Sequence, residues 1–290
     1  MNNDILKKID KRLFNSIFRQ FDKNRKDKTF VYHYTSYGSI QKIVEDNSLR
    51  FSNLNKQADK KELIFGLEVL QSLCERSGEY KPLVDLIETK KSGASLAGIK
   101  MQFFIFCTNE KKDVYRQWLR YGDKGRGVCI KIDRKKLFNK LSNKKDALCY
   151  IYPVLYYVSI NDDYSLINPR IKRFENDMLA YFYTLNKDIE SAGNDDALKD
   201  EIFQVILVFA SLIKDAAYRG ENEWRFLALQ EKNSDEYFLC DNIFDCIEAI
   251  ILGPGLSKIE SANIKAFFED PNPDVNIDIY KSEQSYLFDN

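Results

Sequence analysis

Phe30-Val31-Tyr32-His33-Tyr34-Thr35-Ser36-Tyr37-Gly38-Ser39-Ile40-Gln41-Lys42-Ile43 decides how this chain reads, and it holds the protein's only histidine. Phe30 to Tyr34 is aromatic and β-branched, the composition of a strand. Thr35 or Ser36 offers a hydroxyl to cap a helix that starts near Tyr37. Ile40, Ile43 and Val44 give that helix an apolar stripe at spacings of three and four. Ser48 to Asn53 then reads as a second short strand. The unit is strand, cap, short helix, strand, with His33 at the end of the first strand.

Outward from this unit, residues 4–22 place Ile5, Ile9, Leu13, Ile17 and Phe18 on one helical face, and Asp22 to Lys28 is a charged turn. Residues 57–76 and about 81–94 have helical periodicity. Met101 to Thr108 is a dense apolar run, expected as a buried strand. A short helix over Asp113 to Tyr121 leads to a turn bracketed by Gly125 and Gly127 and a strand over Val128 to Ile132. Gly125-Arg126-Gly127 lacks the lysine and the strand-loop-helix order of a phosphate loop. Asp133 to Ser142 is a short helix with a lysine-rich loop, and Ala147 to Val158 one alternating strand. Residues 165–217 form a helical block broken at Ser191 to Asp196. Strands follow at Glu223 to Leu229, Glu236 to Leu239 and Ala249 to Leu252, then a helix over Ser257 to Phe268 and a last strand over Val275 to Tyr280. Helices between short strands, with strands adjacent late in the chain, predict an α+β fold. We expect a single domain over residues 1–290, its core at about 30–158 and 220–290, with the helical block inserted.

Composition narrows the function classes. The 290 residues include 44 Lys plus Arg and 44 Asp plus Glu, so formal net charge is zero. No global field draws the protein to nucleic acid or to an anionic membrane. Mean hydropathy is -0.43, and no run approaches a membrane span. The six cysteines contain no Cys-x-x-Cys pair, and a single histidine makes a zinc site an unexpected feature. Cys107 and Cys129 lie in apolar runs and read as buried thiols. We expect a cytoplasmic protein with no metal and no membrane partner.

Two resemblances extend this reading. The strand ending in Tyr32-His33-Tyr34-Thr35, followed by a short helix through Ser39-Ile40-Gln41-Lys42-Ile43, resembles the nicotinamide-binding start of the histidine branch of ADP-ribosyltransferases, the diphtheria toxin and poly-ADP-ribose polymerase group. That branch opens with His-Gly-Thr, and Tyr34 replaces its glycine. The second resemblance spans roughly residues 30 to 255. Tyr32 to Thr35, Leu49-Arg50-Phe51-Ser52, Gln117-Trp118-Leu119-Arg120-Tyr121-Gly122-Asp123, Lys124 to Ile130, Glu221-Asn222-Glu223-Trp224-Arg225 and Leu252-Gly253-Pro254 are similar to bacterial domain-of-unknown-function family 2971. The two together imply an ADP-ribosyltransferase-like split β-sheet core with NAD as substrate. Genes of that family tend to sit among defence genes, which implies a toxic effector in anti-phage defence, with an antitoxin or regulatory partner.

Cleaving nicotinamide from ribose builds positive charge on the sugar, so a site needs a carboxylate near the ribose, a ribose-holding donor and aromatic walls. The resemblance implies Glu223 as the carboxylate and His33 as the ribose holder. If the strand began at Glu221, Glu-x-Glu would place both acids on one face. Two close carboxylates raise one pKa, so Glu221 is a candidate base for the acceptor. The plainer alternatives are a solvated acidic turn and a satisfied strand-end histidine. Phe51 stands where diphtheria toxin has Tyr, and Tyr34 or Tyr121 is left to supply a hydroxyl. Thr35 and Ser52 complete the cofactor candidates, and Arg50 is placed to reach a pyrophosphate. Arg225 is expected on the opposite side of the strand from Glu223, in a structural role. Trp118 reads as a core or cleft aromatic. The first function expected is ADP-ribosyl transfer to a protein or nucleic acid, or NAD hydrolysis. A nucleotide- or partner-binding module without turnover is the second, and a scaffold built on the helical block is the third.

Overall fold

The computed structural model describes residues 30–54, 60–92, 101–160, 163–167, 172–231, 236–269 and 277–284. The opening unit forms as its sequence predicts. Strand β1 spans Phe30–Thr35, helix α1 Tyr37–Asp46 and strand β2 Ser48–Asn53. Ser36 is the cap: its hydroxyl accepts from the Ser39 amide at 3.2 Å, satisfying one of the orphan donors at the helix start. Asn47 ends α1 in the left-handed region, at φ 43°, which Asn tolerates better than most residues. The expected N-terminal helix over residues 4–22 lies outside the described residues.

Helices α2 (Lys60–Glu75) and α3 (Lys81–Ser92) precede the central strand β3 (Met101–Asn109). After β3 come α4 (Tyr115–Arg120), β4 (Val128–Asp133), α5 (Arg134–Ser142) and β5 (Ala147–Pro153). The single strand expected over residues 147–158 is two strands. Beyond Pro153 the chain leaves the main sheet, and β6 (Leu155–Ile160) joins a small sheet with β7 (Asp163–Leu166) and β8 (Ile213–Asp215). The helical block is correspondingly shorter than expected, because both of its ends are strand. Its helices are α6 (Lys172–Ala192) and α7 (Asp196–Ala210), with Gly193 at φ 55° in the turn. Strands β9 (Glu223–Glu231), β10 (Tyr237–Asp241) and β11 (Ile247–Leu252), helix α8 (Lys258–Glu269) and strand β12 (Asp278–Lys281) complete the order.

The main sheet runs β10-β2-β3-β1-β4-β11-β12, with β9 along the other edge of β3 and β5 outside β9. It is mixed: β11 and β12 are parallel, and the other pairings are antiparallel. β9 follows β3 along its whole length, from Met101 opposite Glu231 to Asn109 opposite Glu223. On its other edge β3 meets β2 at Ile105 and Phe104, and β1 only at Asn109. The sheet therefore divides at the end of β3, where β1 turns away with β4, β11 and β12. The ends of β1, β3 and β9 meet at this division, and the candidate site forms there.

Both faces of β3 and β9 are covered, so alternation sorts their side chains into two cores. Met101, Phe103, Ile105, Leu227 and Leu229 pack under α2, α3, α6 and α7. Phe104, Phe106, Trp224, Phe226 and Ala228 pack on the opposite face with residues of α1, α5 and α8. α7 is buried at every position from Ile202 to Ala210, the pattern of a helix surrounded by protein. The architecture is α+β, with the helical pair packed on one face of the sheet.

Gly125 and Gly127 serve backbone packing. A Cβ on Gly127 would lie 2.0 Å from the Thr35 carbonyl oxygen, and one on Gly253 would lie 2.2 Å from that of Gly125. Gly253 and Gly255 donate their amides to the carbonyls of Gly127 and Gly125, at 2.9 and 2.8 Å. The two glycine turns therefore clamp each other behind β1.

Candidate functional site

The pocket at the sheet division has a volume of about 310 Å³, at the lower end of the range typical for small-molecule sites, about 300–1,000 Å³. β1 supplies His33 and Tyr34, β3 supplies Cys107, and β9 supplies Glu223 and Arg225. Glu62 of α2, Tyr121 after α4, and Lys214 and Glu221 close its walls.

The histidine wall is held by neutral contacts. His33 Nδ1 lies 2.9 Å from the Cys107 carbonyl oxygen, and the ring packs on Phe106 with centroids 4.4 Å apart. A donor is required toward that carbonyl, so Nδ1 carries the proton and Nε2 is the free acceptor. Burial lowers the His33 pKa, and the Cys107 hydrogen bond only partly offsets this. Beside it, the Tyr34 hydroxyl accepts from the Val114 amide at 2.8 Å and donates to the Lys111 carbonyl at 3.2 Å. Its ring meets Trp118 edge-on at 5.0 Å. Tyr34 therefore has no free hydroxyl to offer a ligand. Trp118 is fully buried and belongs to the core.

The acidic wall is ionic throughout. Glu223 Oε1 accepts from Arg225 Nε at 2.7 Å, and Oε2 accepts from Lys214 Nζ at 3.0 Å and Arg225 Nη2 at 3.2 Å. Lys214 also donates to Glu221 Oε2 at 2.7 Å and pairs with Glu62 Oε2 at 3.2 Å. Arg225 reaches Glu62 and the Ser211 carbonyl. Glu221 Oε1 accepts from Arg120 at 2.7 Å and from the Tyr121 hydroxyl at 3.1 Å. Three carboxylates thus face three cations, Lys214, Arg225 and Arg120.

This wiring corrects three expectations. The strand begins at Glu223, and Glu221 ends a short 3-10 turn spanning Ala216–Glu221. Asn222 between them is left-handed, at φ 45°, and this kink brings both carboxylates to Lys214 without a shared strand face. Second, the two acids are not bare neighbours, because Lys214 lies between them, and the Glu223 pKa is lowered. Burial pushes it up, but Arg225 and Lys214 outweigh burial and hold it at about 2. Glu223 is a permanent anion at neutral pH and no general base. Third, Arg225 stands two residues from Glu223, and a period of two puts both on one face; the opposite placement expected for it was wrong.

The remaining candidates scatter. Phe51 is fully buried, packed on Phe106 and Phe238 at 5.2 and 5.6 Å, and does not reach the pocket. Its position in the middle of β2 points it into the core. Arg50 is bound to Asp46 at 2.7 Å and covers Tyr237, and Ser52 is exposed beside it on the other face of β2. Thr35 is buried against Gly127. None of these lines the pocket. His33, Tyr34, Tyr121, Glu221 and Glu223 do. Cys129 is buried as expected, whereas Cys107 is exposed to the pocket. Desolvation by the pocket walls and the neighbouring Glu223 charge raise its thiol pKa well above the ordinary value, so the thiol stays protonated beside Glu223.

Lys214 and Glu62 were not singled out from sequence. Lys214 did carry a signal, a lone cation after the apolar pair Leu212-Ile213. A lysine in a buried run requires a counter-charge, and Glu221 and Glu223 follow within ten residues. Glu62 carries no comparable signal, since an acid in the first turn of a helix is ordinary. Among the described residues no group of His, Cys, Asp and Glu side chains is arranged to hold a metal ion, and no helix is long and apolar enough to cross a membrane.

Residues 117–226 match the model of a family described as a protein of unknown function, DUF2971. The matched segment carries Tyr121, Lys214, Glu221, Glu223 and Arg225, the ionic wall of the pocket apart from Glu62. No curated protein and no solved structure matches the chain.

Proposed function

We propose that the chain is an NAD-dependent ADP-ribosyltransferase acting on a protein or nucleic acid, with an ADP-ribosyltransferase-like split sheet. One observation carries this reading: His33 and Glu223, far apart in sequence, line one pocket at the division of the sheet. In the reaction the bond from ribose C1′ to nicotinamide breaks, and its electron pair leaves with nicotinamide. The cationic sugar is then taken by a nucleophile of the acceptor, which loses a proton. Glu223, ionised at any neutral pH, supplies the fixed negative charge that the sugar needs in the transition state. The Cys107 thiol is its weakest donor, and a ribose hydroxyl would replace it. Nε2 of His33 would accept from a second ribose hydroxyl. Tyr121 offers a ring to the nicotinamide, and Glu221 orients the acceptor. Water in place of the acceptor gives an NAD glycohydrolase. The family resemblance adds the setting, a toxic effector of bacterial anti-phage defence held by an antitoxin or regulatory partner.

A second reading has its own support. Lys214 and Arg225 already occupy both Glu223 oxygens, which suits a nucleotide- or partner-binding module without turnover. Incubation with NAD separates the two. The enzyme reading expects nicotinamide release and transfer of labelled ADP-ribose to a macromolecule of a bacterial lysate. Binding of NAD with no release in the presence of lysate would establish the binding module instead.

A further inference from the structure

A second concavity lies on the other arm of the sheet, between α8 and the terminal strand β12, with a volume of about 280 Å³. Lys258, Ser261 and Lys265 of α8 line it, with Ile279, Tyr280 and Lys281 of β12. Residues 258, 261 and 265 lie at helical spacings of three and four, so the three side chains share one face. Lys281 projects beside them from the neighbouring strand. None of the three lysines has an acidic partner among the described residues. That contrasts with other surface cations, since Lys136, Lys140, Lys144 and Arg126 are each paired with a carboxylate.

The acid nearest in sequence is turned away. Glu260 accepts from the Ser257 amide at 2.9 Å and from Arg126 at 3.0 Å, while Ser257 Oγ accepts from the Glu260 amide at 3.2 Å. This reciprocal cap closes the helix start and directs the Glu260 charge to Arg126. Lys258 then stands in the first turn of α8, where the helix dipole disfavours a cation. Ser261 is 8 % exposed, and its hydroxyl has no hydrogen-bond partner among the described residues. Three lysines without an acidic partner among the described residues therefore line one cavity together with the Ser261 side chain.

We propose that this groove binds a phosphate-bearing anion of the di- or triphosphate type. Three lysines match its several charges, and an ammonium donates to a tetrahedral phosphate without needing the planar, two-pronged geometry that Arg prefers. Ser261 Oγ donates the fourth hydrogen bond. Ile279 and Tyr280 leave an apolar flank for a group attached to the phosphate. The site is separate from the His33 pocket: β12 stands three strands from β1, about 14 Å at the usual strand spacing.

Calorimetry on the full chain tests the proposal with inorganic pyrophosphate, ATP and adenosine as probes. Pyrophosphate and ATP should bind, more weakly as salt rises, and adenosine should not. The double variant Lys265→Gln/Lys281→Gln should weaken both phosphates by about tenfold or more, and Ser261→Ala by a few-fold. Lys136→Gln, which alters a paired lysine elsewhere, should change nothing. These lysines are at the surface, so circular dichroism should show every variant folded. Absence of pyrophosphate binding at millimolar concentration would overturn the proposal, as would undiminished binding by the double variant or equal binding of adenosine and ATP. An oligonucleotide that binds through these lysines while pyrophosphate does not would overturn it too, in favour of a nucleic-acid contact.

Discussion

The two walls of the His33 pocket are built on opposite electrostatic terms. The β9 wall is a closed ionic network in which Glu62, Glu221 and Glu223 share Lys214, Arg225 and Arg120. The β1 wall is neutral: His33 leans on a carbonyl and a phenyl ring, and Tyr34 is tied to backbone groups. A buried ionic network is costly to open, because each charge left behind loses its compensation. A neutral side chain that makes one backbone hydrogen bond is cheap to change. The acidic wall is thus bound up with folding, whereas His33 is tied to the fold by a backbone hydrogen bond and a ring contact.

The largest expected effect comes from breaking the ionic wall. Arg225 is 4 % exposed and serves Glu223, Glu62 and the Ser211 carbonyl. Arg225→Met should destabilise the fold by about 3–5 kcal/mol, the usual cost of orphaning a buried charge. Urea denaturation of the variant measures it. A loss below about 1 kcal/mol would mean that the network contributes little and would remove the contrast between the walls.

Acid should separate the walls by pH. The folded pKa of His33 is depressed, so its share of stability is complete above its ordinary value of 6.5 and is lost as pH falls below it. The folded pKa of Glu223 is depressed from 4.5 to about 2, so its share is complete above 4.5 and is lost as pH falls through that interval. Stability measured from pH 7 to 2 should decline in both windows. His33→Asn should remove the upper decline and leave the lower one. Persistence of the upper decline in that variant would assign it to another group.

The smallest stability effect belongs to the neutral wall. His33→Asn loses one hydrogen bond and a ring contact, and should change unfolding free energy by about 1 kcal/mol. Its effect on NAD affinity should be larger than that on stability. Equal effects on both, read by thermal shift with and without NAD, would make His33 a structural residue only.

Much of the scaffold was legible in the sequence because it rests on local signals. The Ser36 cap, the dense apolar run of β3 and the break at Gly193 are each written within a few residues. The site was legible only in part. His33 and Glu223 stood out by type and setting, whereas Lys214 and Glu62 enter the pocket from elements whose approach depends on the whole topology. Phe51 misled because family position says nothing of which face of β2 turns inward. The division of Ala147 to Val158 into two strands was hidden for a similar reason, since both halves alternate alike and only their partners differ.

In the proposed reaction His33 and Glu223 act on one bound NAD, the first through binding and the second through the transition state. Nicotinamide release and NAD affinity, measured together on wild type, Glu223→Gln and His33→Asn, test it most directly, at a temperature where circular dichroism shows all three folded. Glu223→Gln should slow release by about 10²–10³ with little change in NAD affinity, because the ground state lacks the sugar charge. His33→Asn should weaken NAD binding. Release at the wild-type rate by Glu223→Gln, or NAD binding by wild type that neither variant alters, would contradict the claim.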